Sequence, residues 1–153
     1  MEKLELKHLA PYLPYGLSFS VNLKDVRDNF PDELRTLKLA EPSIDLALKI
    51  GKPILRPLSS ITTEEAYELG VLLMGEADME DKEVGIDKMV LMEVTYLTIM
   101  YQDKVDEDYS IMIQFSSTGI SGMDLIPYEA YEWLFNHHFD VFNLIDKGLA
   151  IAK

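Results

Sequence analysis

Arg56 has the setting most suited to chemistry. It stands in Lys52-Pro-Ile-Leu-Arg-Pro-Leu58, between Pro53 and Pro57. Two prolines four residues apart fix φ and remove two amide donors, so the segment is expected to be a stiff extended crossing, neither helix interior nor central strand. A guanidinium held on such a backbone is a candidate anion clamp, helped by Lys49 and Lys52. Tyr12 and Tyr15, with Tyr128 and Tyr131, are candidates to wall a planar ligand, although such tyrosines more often form a core edge with the hydroxyl at the surface. The competing reading of Arg56 is an ion pair with the acidic part of the chain, since half-buried arginines are usually paired.

Other chemistry finds less support. His137 and His138 are adjacent, so on a helix they diverge by about 100° and do not chelate one metal. For these two histidines, His137 with Asp140 is the only pair at ligand spacing, and one pair is not a metal site. There is no cysteine, which removes thiolate chemistry and disulfides. Ser121 lies in Gly119-Ile-Ser-Gly122, without the spacing of a nucleophile elbow. Carboxylates are abundant, but nothing distinguishes Asp106-Glu107-Asp108 from a solvated turn, and residues 76–87 lack the calcium-loop pattern. No glycine-rich phosphate loop is present. The expectation is a non-catalytic protein with no cofactor and no metal.

Charge is distributed unevenly. The net charge is −13 from 14 basic and 27 acidic residues, which argues against broad phosphate contact with nucleic acid. Residues 1–56 hold 9 basic and 8 acidic residues, and residues 57–153 hold 5 and 19, so the sign changes just after Arg56. An acidic surface keeps a protein in solution; it also suits a basic partner or a mimic of nucleic acid.

At 153 residues, with 48% hydrophobic residues, the chain is expected to be one α+β domain spanning 1–153. Its longest apolar candidate, Met89 to Met100, is broken by Glu93, Thr95 and Thr98, so no membrane span is expected. The N-terminus lacks the apolar core of a signal peptide. Together with the missing cysteines, this makes a cytoplasmic location the default expectation.

The elements that must position these residues follow from periodicity. Tyr12 and Tyr15 lie in an opening of one short helical turn before Pro11 and then an extended run. Leu17 to Leu23 alternates strictly and reads as a half-buried strand. Leu34 to Ala40 reads as a second strand. Ser43 is placed to cap a short helix through Ile50 with Gly51 after it, a strand being the alternative. Thr62-Thr-Glu-Glu65 is a capping box opening a helix to about Met74, with Gly75 as stop and Gly70 weakening it. Residues 76–87 read as an exposed acidic loop, Glu93–Tyr101 and Tyr109–Ser117 as two strands of a hairpin, and Ser116 to Gly122 as a bend. Tyr131, Leu134, Phe135, His138, Val141, Phe142 and Ile145 fall on one helical stripe, predicting a long apolar C-terminal helix over 127–147, continuous or divided near Asp140. The expected architecture is an antiparallel sheet packed against a few helices, that long one included.

Three stretches carry a resemblance. His8-Leu-Ala-Pro-Tyr-Leu-Pro-Tyr-Gly-Leu17, Lys52-Pro-Ile-Leu-Arg-Pro-Leu-Ser59 and Trp133-Leu-Phe-Asn-His-His-Phe-Asp-Val-Phe-Asn-Leu-Ile-Asp-Lys-Gly-Leu-Ala-Ile151 resemble motifs of a group of small uncharacterised proteins encoded by phages and prophages of gut bacteria. The resemblance implies a phage-borne accessory protein working in the host cytoplasm. It implies no activity and supplies no site residues. The resulting expectation is an acidic interaction protein that engages a host or phage protein, with homo-oligomers allowed. The alternative is a binder of a small anionic ligand such as a nucleotide signal, with Arg56, Lys52, Tyr12 and Tyr15 as the ligand-binding residues.

Overall fold

A computed structural model describes residues 3–29, 31–39, 43–91, 94–105, 109–116, 119–121 and 126–153. In chain order the elements are α1 (Leu6–Leu9), a 3-10 helix (Ala10–Tyr15), β1 (Ser18–Asn22), α2 (Leu23–Val26), β2 (Leu34–Lys38), α3 (Ile44–Ile50), β3 (Lys52–Leu55) and a 3-10 turn (Leu58–Ser60). They continue with α4 (Thr63–Met74), α5 (Glu76–Met79), β4 (Lys82–Leu91), β5 (Val94–Asp103), β6 (Tyr109–Ser116), β7 (Gly119–Ser121), α6 (Tyr128–Asn136) and β8 (Ile151–Ala152). The chain is α+β, and it forms two compact units: Met1–Pro57 with Phe135–Lys153, and Leu58–Leu134. Among the described residues no helix is long and apolar enough to cross a membrane.

The first unit is built on a mixed sheet of order β2-β1-β3-β8. β1 is antiparallel to β2 and β3, and β3 is parallel to β8. Its core gathers Leu9, Tyr12, Leu17, Phe19, Val21, Ala47, Leu55 and Leu144. Each fully buried large apolar side chain there stabilises the fold by about 1.5–3 kcal/mol. β1 alternates as its sequence predicts at Phe19 and Val21, but Ser20 between them is also buried.

Against expectation, the proline segment is an inner strand. β3 meets β1 at Lys52 and Pro53 and meets β8 at Ile54 and Leu55. The two neighbours act in succession, so no residue of β3 must bond on both sides. The missing donor of Pro53 falls where β8 has not yet begun, which lets a proline sit inside a sheet. The opening run also differs: beyond α1 it is a 3-10 helix, with Pro11 in its first turn, Pro14 inside it and Gly16 ending it at φ 67°. A proline's fixed φ suits 3-10 geometry as well as extended chain.

The second unit is a helix-covered meander. Thr62 caps α4 by a reciprocal box: the Glu65 amide donates to Thr62 Oγ1 at 3.2 Å and the Thr62 amide donates to Glu65 Oε2 at 3.0 Å. The sheet is β4-β5-β6-β7, antiparallel throughout. The expected hairpin is β5 and β6. The acidic loop is shorter than expected, because α5 and β4 take up most of it. Leu97, Ile99 and Tyr101 alternate into the core beside Ala66, Leu69 and Met79. A Cβ on Gly70 would lie 2.5 Å from the Tyr101 ring and 2.7 Å from Met79 Sδ, so this glycine is required by packing and is more than a weak point in the helix. The bend after β6 falls partly at residues 117–118 and 122–125, outside the described residues.

The predicted C-terminal helix is the main correction. α6 stops at Asn136, and residues 137–150 form turns. His138 and Asn143 take left-handed φ values of 58° and 54°, which helix interiors do not allow. Phe139 forms a parallel bridge with Arg56. Asp140 accepts the amides of Leu144 and Ile145, each at 2.8 Å, through its two carboxylate oxygens. An aspartate that satisfies backbone donors ahead of it favours a turn over a continued helix. Of the seven stripe residues only Leu134 is fully buried and the other six are half-buried, while Phe139 and Leu144, off the stripe, are enclosed; the stripe foretold neither the deepest positions nor the backbone.

Candidate functional site

Three of the four predicted site residues meet at the loop His138–Asp140. The Arg56 amide donates to the His138 carbonyl and the Asp140 amide donates to the Arg56 carbonyl, both at 2.8 Å. The Arg56 guanidinium carbon lies 4.3 Å from the centre of the Phe139 ring, a cation–π contact. The Tyr12 hydroxyl donates to the Phe139 carbonyl at 2.6 Å and accepts from the Val141 amide at 3.4 Å. Tyr12 is wholly enclosed, and burial pushes its hydroxyl far above the usual tyrosine range. His138 Nε2 lies 2.9 Å from the Tyr15 carbonyl. A carbonyl only accepts, so Nε2 carries the proton. The contacts made by Arg56, Tyr12 and His138 tie this loop to β3 and to the opening 3-10 helix. Burial raises the Asp140 carboxyl above its ordinary value, opposed by the two amides it accepts.

Lys52 lies elsewhere. Four residue steps separate it from Arg56, about 13 Å at strand rise. It lines a cleft of about 520 Å³ with Lys3, Leu4, Leu48, Lys49, Ile50, Gly51, Gly148 and Leu149. The fold explains the convergence. Parallel pairing sets Ile54 opposite Ile151, so Lys52 and Leu149, each two residues before one of that pair, fall at the same end. α3 ends against β1 through Gly51, where a Cβ would lie 2.7 Å from both Ala47 Cα and the Phe19 ring. The reversal at that glycine sets Lys49, on the last turn of α3, near Lys52, the first residue of β3. Leu4, Leu48, Ile50 and Leu149 pack against the core. Lys3, Lys49 and Lys52 are exposed, and among the described residues none of them makes an ion pair. Among the described residues no carboxylate lines the cleft. Sequence reasoning missed Lys3, because nothing near position 3 signals that the chain start meets residues 49 and 149.

The second unit offers a different surface. A cleft of about 560 Å³ is lined by Leu73, Met74, Ala77, Asp78, Asp81, Lys82 and Asp103. Lys82 is paired with Asp103 at 3.0 Å across the first rung of β4 and β5, so the lysine is neutralised and Asp78 and Asp81 are left to set the sign. Glu76, Asp78, Glu80, Asp81, Glu83 and Asp87 are all exposed. Counted by unit, the first carries 11 basic and 10 acidic residues (net +1) and the second 3 and 17 (net −14). Among the described residues no three His, Cys, Asp or Glu side chains gather as a metal site would require.

No protein-family model matches the chain, and no curated protein or solved structure is significantly similar to it.

Proposed function

We propose that this chain is a non-catalytic interaction protein whose acidic second unit engages a basic surface on another protein. The single observation that carries the reading is the segregation of charge: a net of −14 resides in Leu58–Leu134 while the rest of the chain is nearly neutral. Solubility alone calls for dispersed charge of either sign. Concentrated charge of one sign steers an oppositely charged partner and speeds its encounter. In the setting implied by the motif resemblance, the chain is a phage or prophage accessory protein in the host cytoplasm and the partner is a host or phage protein.

The test is capture from bacterial lysate on the immobilised protein at about 0.05 and 0.5 M salt, the latter shrinking the screening length to a few Å. A retained partner that elutes with salt is expected. Neutralising Glu76, Asp78, Glu80 and Asp81 to their amides should abolish capture. A chain that retains nothing, or a partner indifferent both to salt and to those substitutions, defeats the reading.

A further inference from the structure

We infer that the lysine-lined cleft of the first unit binds a small phosphorylated molecule, with the phosphate held by Lys3, Lys49 and Lys52 and an apolar moiety resting on Leu4, Leu48 and Leu149. The first unit holds 11 basic and 10 acidic residues, so neighbours of either sign are about equally available to a lysine there. Here three lysines from two distant segments line one cleft; among the described residues no carboxylate lines it, and none of the three is ion-paired among those residues. Gathered like charges repel one another, and an anion relieves that repulsion. A volume near 520 Å³ lies in the range of small-ligand sites. The mixture of apolar floor and cationic rim fits an amphipathic phosphate better than inorganic phosphate alone. Lysine ammonium groups bind phosphate as point charges without the planar fork of arginine, which suits a terminal phosphate approached from several sides. The site is independent of the acidic unit.

The experiment is titration calorimetry on the untagged full-length chain with pyrophosphate, ADP, adenosine and a short-chain phosphatidic acid. ADP or the phosphatidic acid should bind, and whichever binds more tightly identifies a nucleotide or a lipid source. Pyrophosphate should bind more weakly than that ligand, and adenosine should not bind. Lys49→Ala with Lys52→Ala should weaken binding at least about tenfold, and Lys49→Arg with Lys52→Arg should restore most of it. Lys24→Ala, which lies outside the cleft, should change nothing. The lysine variants should also melt at the wild-type temperature, since they remove exposed side chains. Amide substitutions on the acidic second unit should leave this binding intact, which separates it from the partner reading. Absence of binding by all three phosphates at millimolar concentration, or an affinity that stays within about twofold in the double alanine variant, overturns the inference.

Discussion

The two units hold their backbone polar groups by different means. The second is contiguous in sequence and mostly regular: a capped helix lies over four antiparallel strands, and the ladder satisfies the main chain. The first is assembled from both ends of the chain, and its last stretch, residues 137–150, is irregular. Every buried amide and carbonyl in such a stretch still needs a partner. Side chains supply several: the Tyr12 hydroxyl for Phe139 and Val141, the Asp140 carboxylate for Leu144 and Ile145, and the His138 ring for Tyr15. The contrast suggests that an irregular closure concentrates stability in a few polar residues, whereas a ladder spreads it.

Four measurements sharpen or break that contrast. The largest expected effect compares two glycines. Gly51→Ala drives a methyl against the Ala47 backbone, which cannot swing aside, whereas Gly70→Ala meets the Tyr101 ring edge and the flexible end of Met79. The first should cost about 3 kcal/mol. The second should cost about 2 kcal/mol, because the buried Tyr101 ring has little room to yield and helix propensity repays only part of the clash. Urea unfolding read by Trp133, the only tryptophan and part of the second unit, alongside amide exchange in the first unit, would assign each loss. Equal costs would remove the distinction.

Next, Asp140→Ala leaves two amides without their acceptor and should cost about 2 kcal/mol. Thr62→Ala, which removes the helix cap of the second unit, should cost about 1 kcal/mol. Denaturation midpoints at unchanged slope would show it, and a cap worth more than Asp140 would invert the argument. Smaller again are two hydroxyl deletions. Tyr12→Phe removes one donated and one accepted bond and should cost about 1.5 kcal/mol, and Tyr101→Phe, whose hydroxyl only donates to the Ala66 carbonyl, about 1 kcal/mol.

The smallest effect is a pH dependence. The folded state holds the Asp140 proton more tightly than the unfolded chain does, because burial raises its pKa above 3.8. The contribution of this group to stability is therefore greatest below about pH 4 and declines as pH rises through the raised folded value. Asp140→Asn lacks that titration. The stability gap between wild type and variant should narrow from about pH 3.5 to pH 7, as paired thermal melts would report; a widening gap would contradict the assigned direction.

How legible the molecule was depends on the range of the signal. The reciprocal box at Thr62 and Glu65, the alternation of β1 and the hairpin strands β5 and β6 are readable because each is specified within a few residues. β4 was hidden inside an acidic run, since exposed charges mask strand propensity on an outer strand. Of the candidate site residues, Lys52 lies in a cleft, while Tyr12 is enclosed and satisfied. No local pattern distinguishes a tyrosine that walls a pocket from one that bolts a loop.

By itself, then, the sequence determined the α+β class, the helix cap, the apolar positions and the charge boundary near Arg56, because these depend on propensity, periodicity and composition. Only the tertiary structure decided that the proline segment lies inside a sheet, that the apolar stripe breaks after Asn136 into a loop held to Arg56, and that Lys3 lines one cleft with Lys49 and Lys52. Each of those rests on a pairing between residues far apart in the chain, whose free energy appears only when the fold closes and a local reading has no means of weighing it.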